Sequence, residues 1–241
     1  MEKRLNQLVE KLKDAHGAAL VSVILYGSAA AGDYQGSISD LNVFCVLEQV
    51  GRPELSRSGR IFDWWRELGN PAPLLMARDE VARSTDCFPI EFHDMRDCRR
   101  VLYGEDPVAG LEVDGKYYRA RVEYELRAKL LRLRQKAATL LADPGGLLRL
   151  MEESVSTFCV LGRHSLRLRR LEAPWKKREV IRAVAGGFGL DPAPFYTLLD
   201  LRERKLSQRQ ANAIELFEAY LREVTALVDA VDRLTELEER P

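Results

Sequence analysis

Histidine and cysteine are scarce in this chain, and neither is clustered. The three histidines, His16, His93 and His164, lie far apart, and the four cysteines, Cys45, Cys87, Cys98 and Cys159, show no Cys-x-x-Cys spacing. Zinc sites need ligands at short intervals, so none is expected. The cysteines read as reduced thiols, with Cys45 and Cys159 in the core. Net charge is also missing: 37 Lys and Arg balance 37 Asp and Glu. The whole molecule is therefore not a generic polyanion binder, and nucleic acid is not an expected partner. No apolar run approaches the ~18 residues of a membrane span, so no membrane partner is expected. Met1-Glu-Lys-Arg-Leu5 reads as the start of a charged helix rather than a secretory signal. Together these absences point to a cytoplasmic protein. Internal repeats and low-complexity segments are absent as well.

What is present is enough apolar material for a proper core, 46% of 241 residues. That length suits one large domain or two small ones. The most informative stretch is residues 21–47. Val21 to Tyr26 is an apolar run that reads as a buried strand. Gly27 and Ser28 break it, and Ala29 to Ala31 are good helix formers. Gly32 to Ser37 is loop chemistry. A second strand is expected from Ile38 to Leu47. Alternation sends Leu41, Val43, Cys45 and Leu47 to one face, and Asp40 and Asn42 to the other.

In order and spacing this stretch resembles the signature of the nucleotidyltransferase superfamily, the polymerase-β-like fold. That signature is an apolar strand, Gly-Ser, a short helix start, a glycine, then Ser-Asp-x-Asp-x-apolar on the next strand. Here it reads Gly27-Ser28, Gly32 and Ser39-Asp40-Leu41-Asn42-Val43, with Asn42 where the family has its second aspartate. The resemblance implies transfer of a nucleoside monophosphate from a nucleoside triphosphate to a hydroxyl, with Mg²⁺ as cofactor. Two Mg²⁺ ions can hold the attacking and leaving oxygens of such a displacement, and Mg²⁺ takes hard oxygen ligands. Asp40 and Asn42 would then be metal ligands, and Gly27, Ser28 and Ser39 would contact the phosphates. An amide keeps one ligating oxygen but loses the charge and adds N–H donors. Asn42 is therefore expected to lower metal affinity, to the point of a single ion.

Further along, residues 2–16 place Leu5, Leu8, Val9 and Leu12 at helical spacing, and Glu54 to Leu68 reads as a second helix. Trp64 and Trp65 on that helix suit core packing, with base stacking as the alternative. A short strand is expected at Leu74 to Met76, and another at Phe88 to Met95, where Ile90 and Phe92 alternate with Glu91 and His93. The resembling family carries a third carboxylate on such a strand. Glu91 has the matching phase, as a metal ligand that also activates the incoming hydroxyl, and Asp94 is the fallback. His93 would share the face of Glu91, as a general base or as a structural histidine. Arg100 to Pro107 looks like the exit from that family's catalytic domain, which places the domain boundary near residue 115.

From Tyr117 onward the pattern is helical throughout. Val122, Leu126, Leu130, Leu133, Ala137 and Leu140 trace one helix face, stopped by Asp143-Pro-Gly-Gly146. Helices follow at about 147–171 and 177–185, then from Pro192 through Leu201. Ser207 to Gln210 fits a capping box that would open the last long helix. The fold class is thus α+β: a mixed-sheet nucleotidyltransferase domain over 1–115 and a helical bundle over 116–241. Between Lys116 and Arg182 there are 17 basic and 7 acidic residues, and Arg163, Arg167 and Arg170 recur at helical spacing. This layout resembles the aminoglycoside and minimal nucleotidyltransferases. His164 lacks an arginine at the spacing that marks the ribonuclease partners of the latter, so no ribonuclease is proposed.

Three functions compete at this point. The first is Mg²⁺-dependent nucleotidyl transfer to an unidentified hydroxyl acceptor, with Asp40 and Glu91 catalytic. In the second, Asn42 marks a degenerate site that binds nucleotide without chemistry. The third is an antitoxin-like or scaffold role, in which the bundle binds a partner protein or a second copy.

Overall fold

The computed structural model describes residues 1–34 and 40–234. Its contacts separate into two compact units, Met1–Asp114 and Gly115–Pro241. The fold is α+β, a four-stranded mixed sheet with helices followed by an all-helical unit.

In the first unit the strands are β1 (Leu20–Tyr26), β2 (Asn42–Leu47), β3 (Leu74–Ala77) and β4 (Arg99–Gly104). Their order across the sheet is β3-β2-β1-β4. β1 is antiparallel to both β2 and β4, whereas β2 and β3 run parallel. The helices are α1 (Glu2–His16), α2 (Arg52–Glu67), α3 (Arg78–Val81) and α4 (Pro89–Asp97). Strand alternation gives the sheet two apolar faces. Val23, Leu25, Leu41, Val43, Cys45 and Leu47 meet Leu5, Leu8 and Leu12 of α1 and Ile61 and Trp65 of α2. Each of those buried leucines contributes about 1.5–3 kcal/mol relative to exposure. Val21, Ile24, Phe44 and Val46 form the opposite face, with Phe92 and Met95 of α4. Phe44 and Phe92 meet edge to face at 6.3 Å.

Two expectations for this unit need correction. Phe88 to Met95 is not a strand; Pro89 opens α4 instead. Proline at a first helical turn loses no hydrogen bond, because those N–H groups have no acceptor anyway. The helix then buries Ile90, Phe92, His93, Asp94 and Met95, a set too broad for one strand face. The strand lies just beyond, at Arg99–Gly104. The second correction concerns β2, which begins at Asn42. Ser39 and its neighbours from residue 35 lie outside the described residues.

The second unit holds α5 (Tyr118–Ala137), α6 (Pro144–Leu168), α7 (Lys177–Phe188), α8 (Ala193–Arg202) and α9 (Ala213–Asp232). α5 packs on α6 and α9, and α6 also carries α7 and α8. Tyr220 of α9 sits at the centre, edge to face with Phe158 and Phe195. Its hydroxyl is 2.9 Å from Ser154 Oγ. The Ser207 capping box opens only one short turn, Gln208–Gln210. α9 starts after Asn212, whose side-chain oxygen accepts from the Ile214 and Glu215 N–H groups. The arginines at helical spacing divide: on α6 Arg163 is buried and Arg167 half-buried, and Arg170, just past the end of that helix, is exposed. The Arg163 guanidinium lies 3.8 Å from the centre of the Trp175 ring. Burial first, then the charge of Arg167, pulls its pKa down to about 10. It donates to His164 Nε2 at 3.3 Å. Because arginine is only a donor, His164 is fixed as the Nδ1–H tautomer, which donates to the Tyr118 hydroxyl at 2.6 Å.

Candidate functional site

The bend that leaves β1 is built by Gly27. Its φ is +77°, a conformation open mainly to glycine. Its N–H donates to the Cys98 carbonyl at 3.3 Å, which ties the bend to the exit of α4. Its own carbonyl accepts from Ala31, and that of Ser28 accepts from Asp33 at 2.9 Å. The three alanines therefore form a tight turn of helical character rather than a helix. Glycine also leaves room for a neighbour. A β-carbon at this position would lie 3.3 Å from the side-chain nitrogen of Asn42.

Asn42 stands directly across from Tyr26 in the β1–β2 register. It precedes Phe44 and Val46 on the alternating strand, so it belongs to the face that α4 covers. Asp40 is exposed and comes two residues before Asn42. Leu41 between them turns into the opposite core, toward α1 and α2. Its N–H donates to Asn70 Oδ1 at 3.3 Å, and Asn70 Nδ2 donates to the Trp65 carbonyl at 3.4 Å. The buried amide of Asn70 thus fixes the backbone beside Asp40. In the sequence Asn70 reads only as part of a helix-breaking Gly-Asn-Pro run, because its partners are distant along the chain.

Glu91 occupies the first turn of α4. Its Oε2 is buried and has no hydrogen-bond partner. An orphaned buried carboxylate oxygen is costly. Glu91 lies close enough to Tyr26 to act on its phenol: burial first, and then the Glu91 charge, push the Tyr26 pKa upward. Tyr26 is in turn paired with Asn42, so Tyr26, Asn42 and α4 sit together on one side of the sheet, beside the Gly27 bend. The helix alters one expected grouping. Residues two apart point nearly opposite ways on a helix, so Glu91 and His93 do not share a face. His93 is buried. Asp94, three residues on, shares the side of Glu91 and is also buried. Asp94 also accepts the Cys98 N–H through its backbone carbonyl, closing the helix.

Among the described residues no three His, Cys, Asp or Glu side chains form a metal cage. The oxygen donors that the sequence singles out are two carboxylates, Asp40 and Glu91, and one amide, Asn42.

A mixed sheet, a glycine-serine bend after its first strand and a helical unit that follows in the chain share their fold with a solved nucleotidyltransferase. The solved structure of spectinomycin adenyltransferase AAD(9) from Enterococcus faecialis, with ATP and spectinomycin, is similar to this chain with a TM-score of 0.63. The match covers 97% of this chain and 100% of that one, at 11% sequence identity. At that identity the likeness is one of fold. No protein-family model matches the chain, and no curated protein matches it in sequence. No helix among the described residues is long and apolar enough to cross a membrane.

Proposed function

We propose that the chain transfers a nucleoside monophosphate from a nucleoside triphosphate to a hydroxyl of a small acceptor. The observation that carries this reading is the unpartnered, buried Glu91 oxygen on the same side of the sheet as Asn42 and Tyr26, beside the Gly27-Ser28 bend. The likeness to a structure that holds ATP and spectinomycin supports ATP as the first donor to test and a small hydroxyl-bearing molecule as the acceptor.

In this mechanism the acceptor oxygen attacks the α-phosphorus, the bond from that phosphorus to the bridging oxygen breaks, and pyrophosphate leaves. Glu91 takes the hydroxyl proton, a contribution typically worth ~10²–10⁴ in rate. Gly27 gives the phosphates close access to backbone, and Ser28 and Ser39 supply hydroxyl contacts. The oxygen set of Asp40, Asn42 and Glu91 suits Mg²⁺, which is usually held by one or two carboxylates together with phosphates and water. When bound, that ion would supply charge neutralisation at the phosphates. With Asn42 the set carries one negative charge fewer than a set of three carboxylates.

The test is pyrophosphate release with ATP and a panel of hydroxyl-bearing acceptors. Asp40→Ala and Glu91→Gln should each lose at least ~100-fold in turnover. Because Asp40 is exposed, its variant should keep the wild-type circular dichroism. Turnover unchanged in Asp40→Ala contradicts the proposal. Asn42 favours one alternative, a site that binds nucleotide without chemistry. Calorimetry showing nucleotide binding, with no turnover for any of the four common triphosphates, would select it. Asn42→Asp should then strengthen Mg²⁺-dependent binding.

A further inference from the structure

Building on the transfer reading above, we infer that Asn70 is the positioning residue for Asp40: its buried amide sets where the Asp40 carboxylate stands at the entry to β2. The starting point is a backbone N–H that the sheet cannot serve. β2 pairs with β1 from Asn42 onward and with β3 only from Phe44 onward. Leu41 precedes both ladders, and its side chain is fully buried in the core that α1 and α2 cover. A buried N–H needs an acceptor, and here it has to come from outside the sheet. Asn70 Oδ1 is that acceptor, at 3.3 Å.

The chain around Asn70 holds the amide in place. The Trp65 carbonyl is one of the last four of α2, which lack a partner within the helix. Asn70 Nδ2 donates to it at 3.4 Å. Gly69, at φ +86°, turns the chain out of the helix, and its N–H donates to the Arg66 carbonyl at 2.8 Å. Pro71 and Pro73 then fix φ at two of the three residues between Asn70 and the start of β3 at Leu74. Asn70 itself is only 7% exposed. One end of its amide is thus committed to α2 and the other to the entry of β2. Asp40 has no such support of its own. Among the described residues no hydrogen bond or ion pair holds its carboxylate, so the backbone that carries it decides its place. That backbone is tied at Leu41 by Asn70 and at Asn42 by the pairing with Tyr26.

Three measurements on the full chain test this role. Asn70→Ala removes both bonds, whereas Asn70→Asp keeps an oxygen for the Leu41 N–H and loses only the donor to Trp65. Hydrogen exchange at the Leu41 amide should be at least ~10-fold faster in Asn70→Ala and close to wild type in Asn70→Asp. Calorimetry with Mg²⁺ and a non-hydrolysable ATP analogue should show affinity at least ~10-fold weaker in Asn70→Ala and largely kept in Asn70→Asp, since a misplacement of ~1 Å can cost ~100-fold at such a site. In an Asp40→Ala background, Asn70→Ala should cost no further affinity, because it acts through Asp40. A residue that only supports the fold would cost the same in both backgrounds. Circular dichroism confirms that each variant is folded in the assay. Should Asn70→Ala not fold, Asn70→Ser, too short to span both partners, carries the same expectations. Unchanged Leu41 exchange, wild-type affinity in a folded Asn70→Ala, or an equal loss in the Asp40→Ala background overturns the positioning role. If Asp40→Ala alone changes neither binding nor turnover, the transfer reading fails and the role of Asn70 with it. If Asp40→Ala is impaired and Asn70→Ala is not, only the role of Asn70 fails.

Discussion

Gly27 is the residue on which the candidate site turns, for two separate reasons. Its backbone sits at φ +77°, and its missing side chain leaves space 3.3 Å from the Asn42 amide. Gly27→Ala should cost about 1–2 kcal/mol through the left-handed backbone alone. It should also displace Asn42. Urea unfolding checks the first effect, and nucleotide affinity the second. This glycine was legible in the sequence because it is part of an ordered local pattern, Gly-Ser followed by Asp-x-Asn. The element that carries Glu91 was not. Ile90 and Phe92 alternate like a strand, yet a short helix buried on several sides has no clear period. Pro89 suits the first turn of a helix as well as the start of an edge strand. Asn70 and Tyr26 were invisible as site residues for another reason. Their partners, Leu41 for one and Glu91 for the other, come close only through tertiary structure.

At the level of elements, the sheet depends on a close approach between β1 and β4. Gly104 has φ +75°, and a β-carbon there would lie 2.0 Å from the Val21 carbonyl oxygen. Neither group can give way without parting the strands. Gly104→Ala should therefore cost about 3 kcal/mol or more, a loss visible in urea or thermal unfolding. The packing of α1 on α2 makes a pH-dependent prediction. His16 is buried and its Nε2 lies 3.0 Å from Ser58 Oγ. Burial first, and then the charge of Arg57, hold its pKa below the ordinary value. The unfolded chain then takes up a proton at a higher pH than the folded one. Stability is full above the unfolded histidine value of ~6.5 and falls as pH drops below it, down to the folded value. Between pH ~7.5 and ~5.5 the urea midpoint should fall in the wild type and fall less in His16→Gln. Equal slopes in the two proteins would remove His16 as the cause. Helices were legible where their apolar spacing was long and regular, as in α5 and α6. The start of α9 was misplaced because Ser207 and Asn212 are both good caps, and only the chain beyond Asn212 continues as a long helix.

For the whole molecule, zero net charge conceals an uneven distribution, with 17 basic and 7 acidic residues between Lys116 and Arg182. Part of that excess is structural. Arg163 is buried against Trp175, and Arg178 is paired with Asp200 and Glu203. The α+β class and the helical second unit could be read from a local motif and from periodicity. The order of the sheet could not, because β3 and β4 reach it from far along the chain. A likeness in fold at 11% identity leaves function to rest on how Asp40, Asn42 and Glu91 are placed. The most direct test of that placement is a crystal structure with Mg²⁺ and a non-hydrolysable ATP analogue. The triphosphate should lie against the Gly27-Ser28 bend, with the carboxylates of Asp40 and Glu91 both reaching the α-phosphate or a metal bound to it. A nucleotide bound elsewhere, or one at the bend with either carboxylate out of reach, would contradict the account.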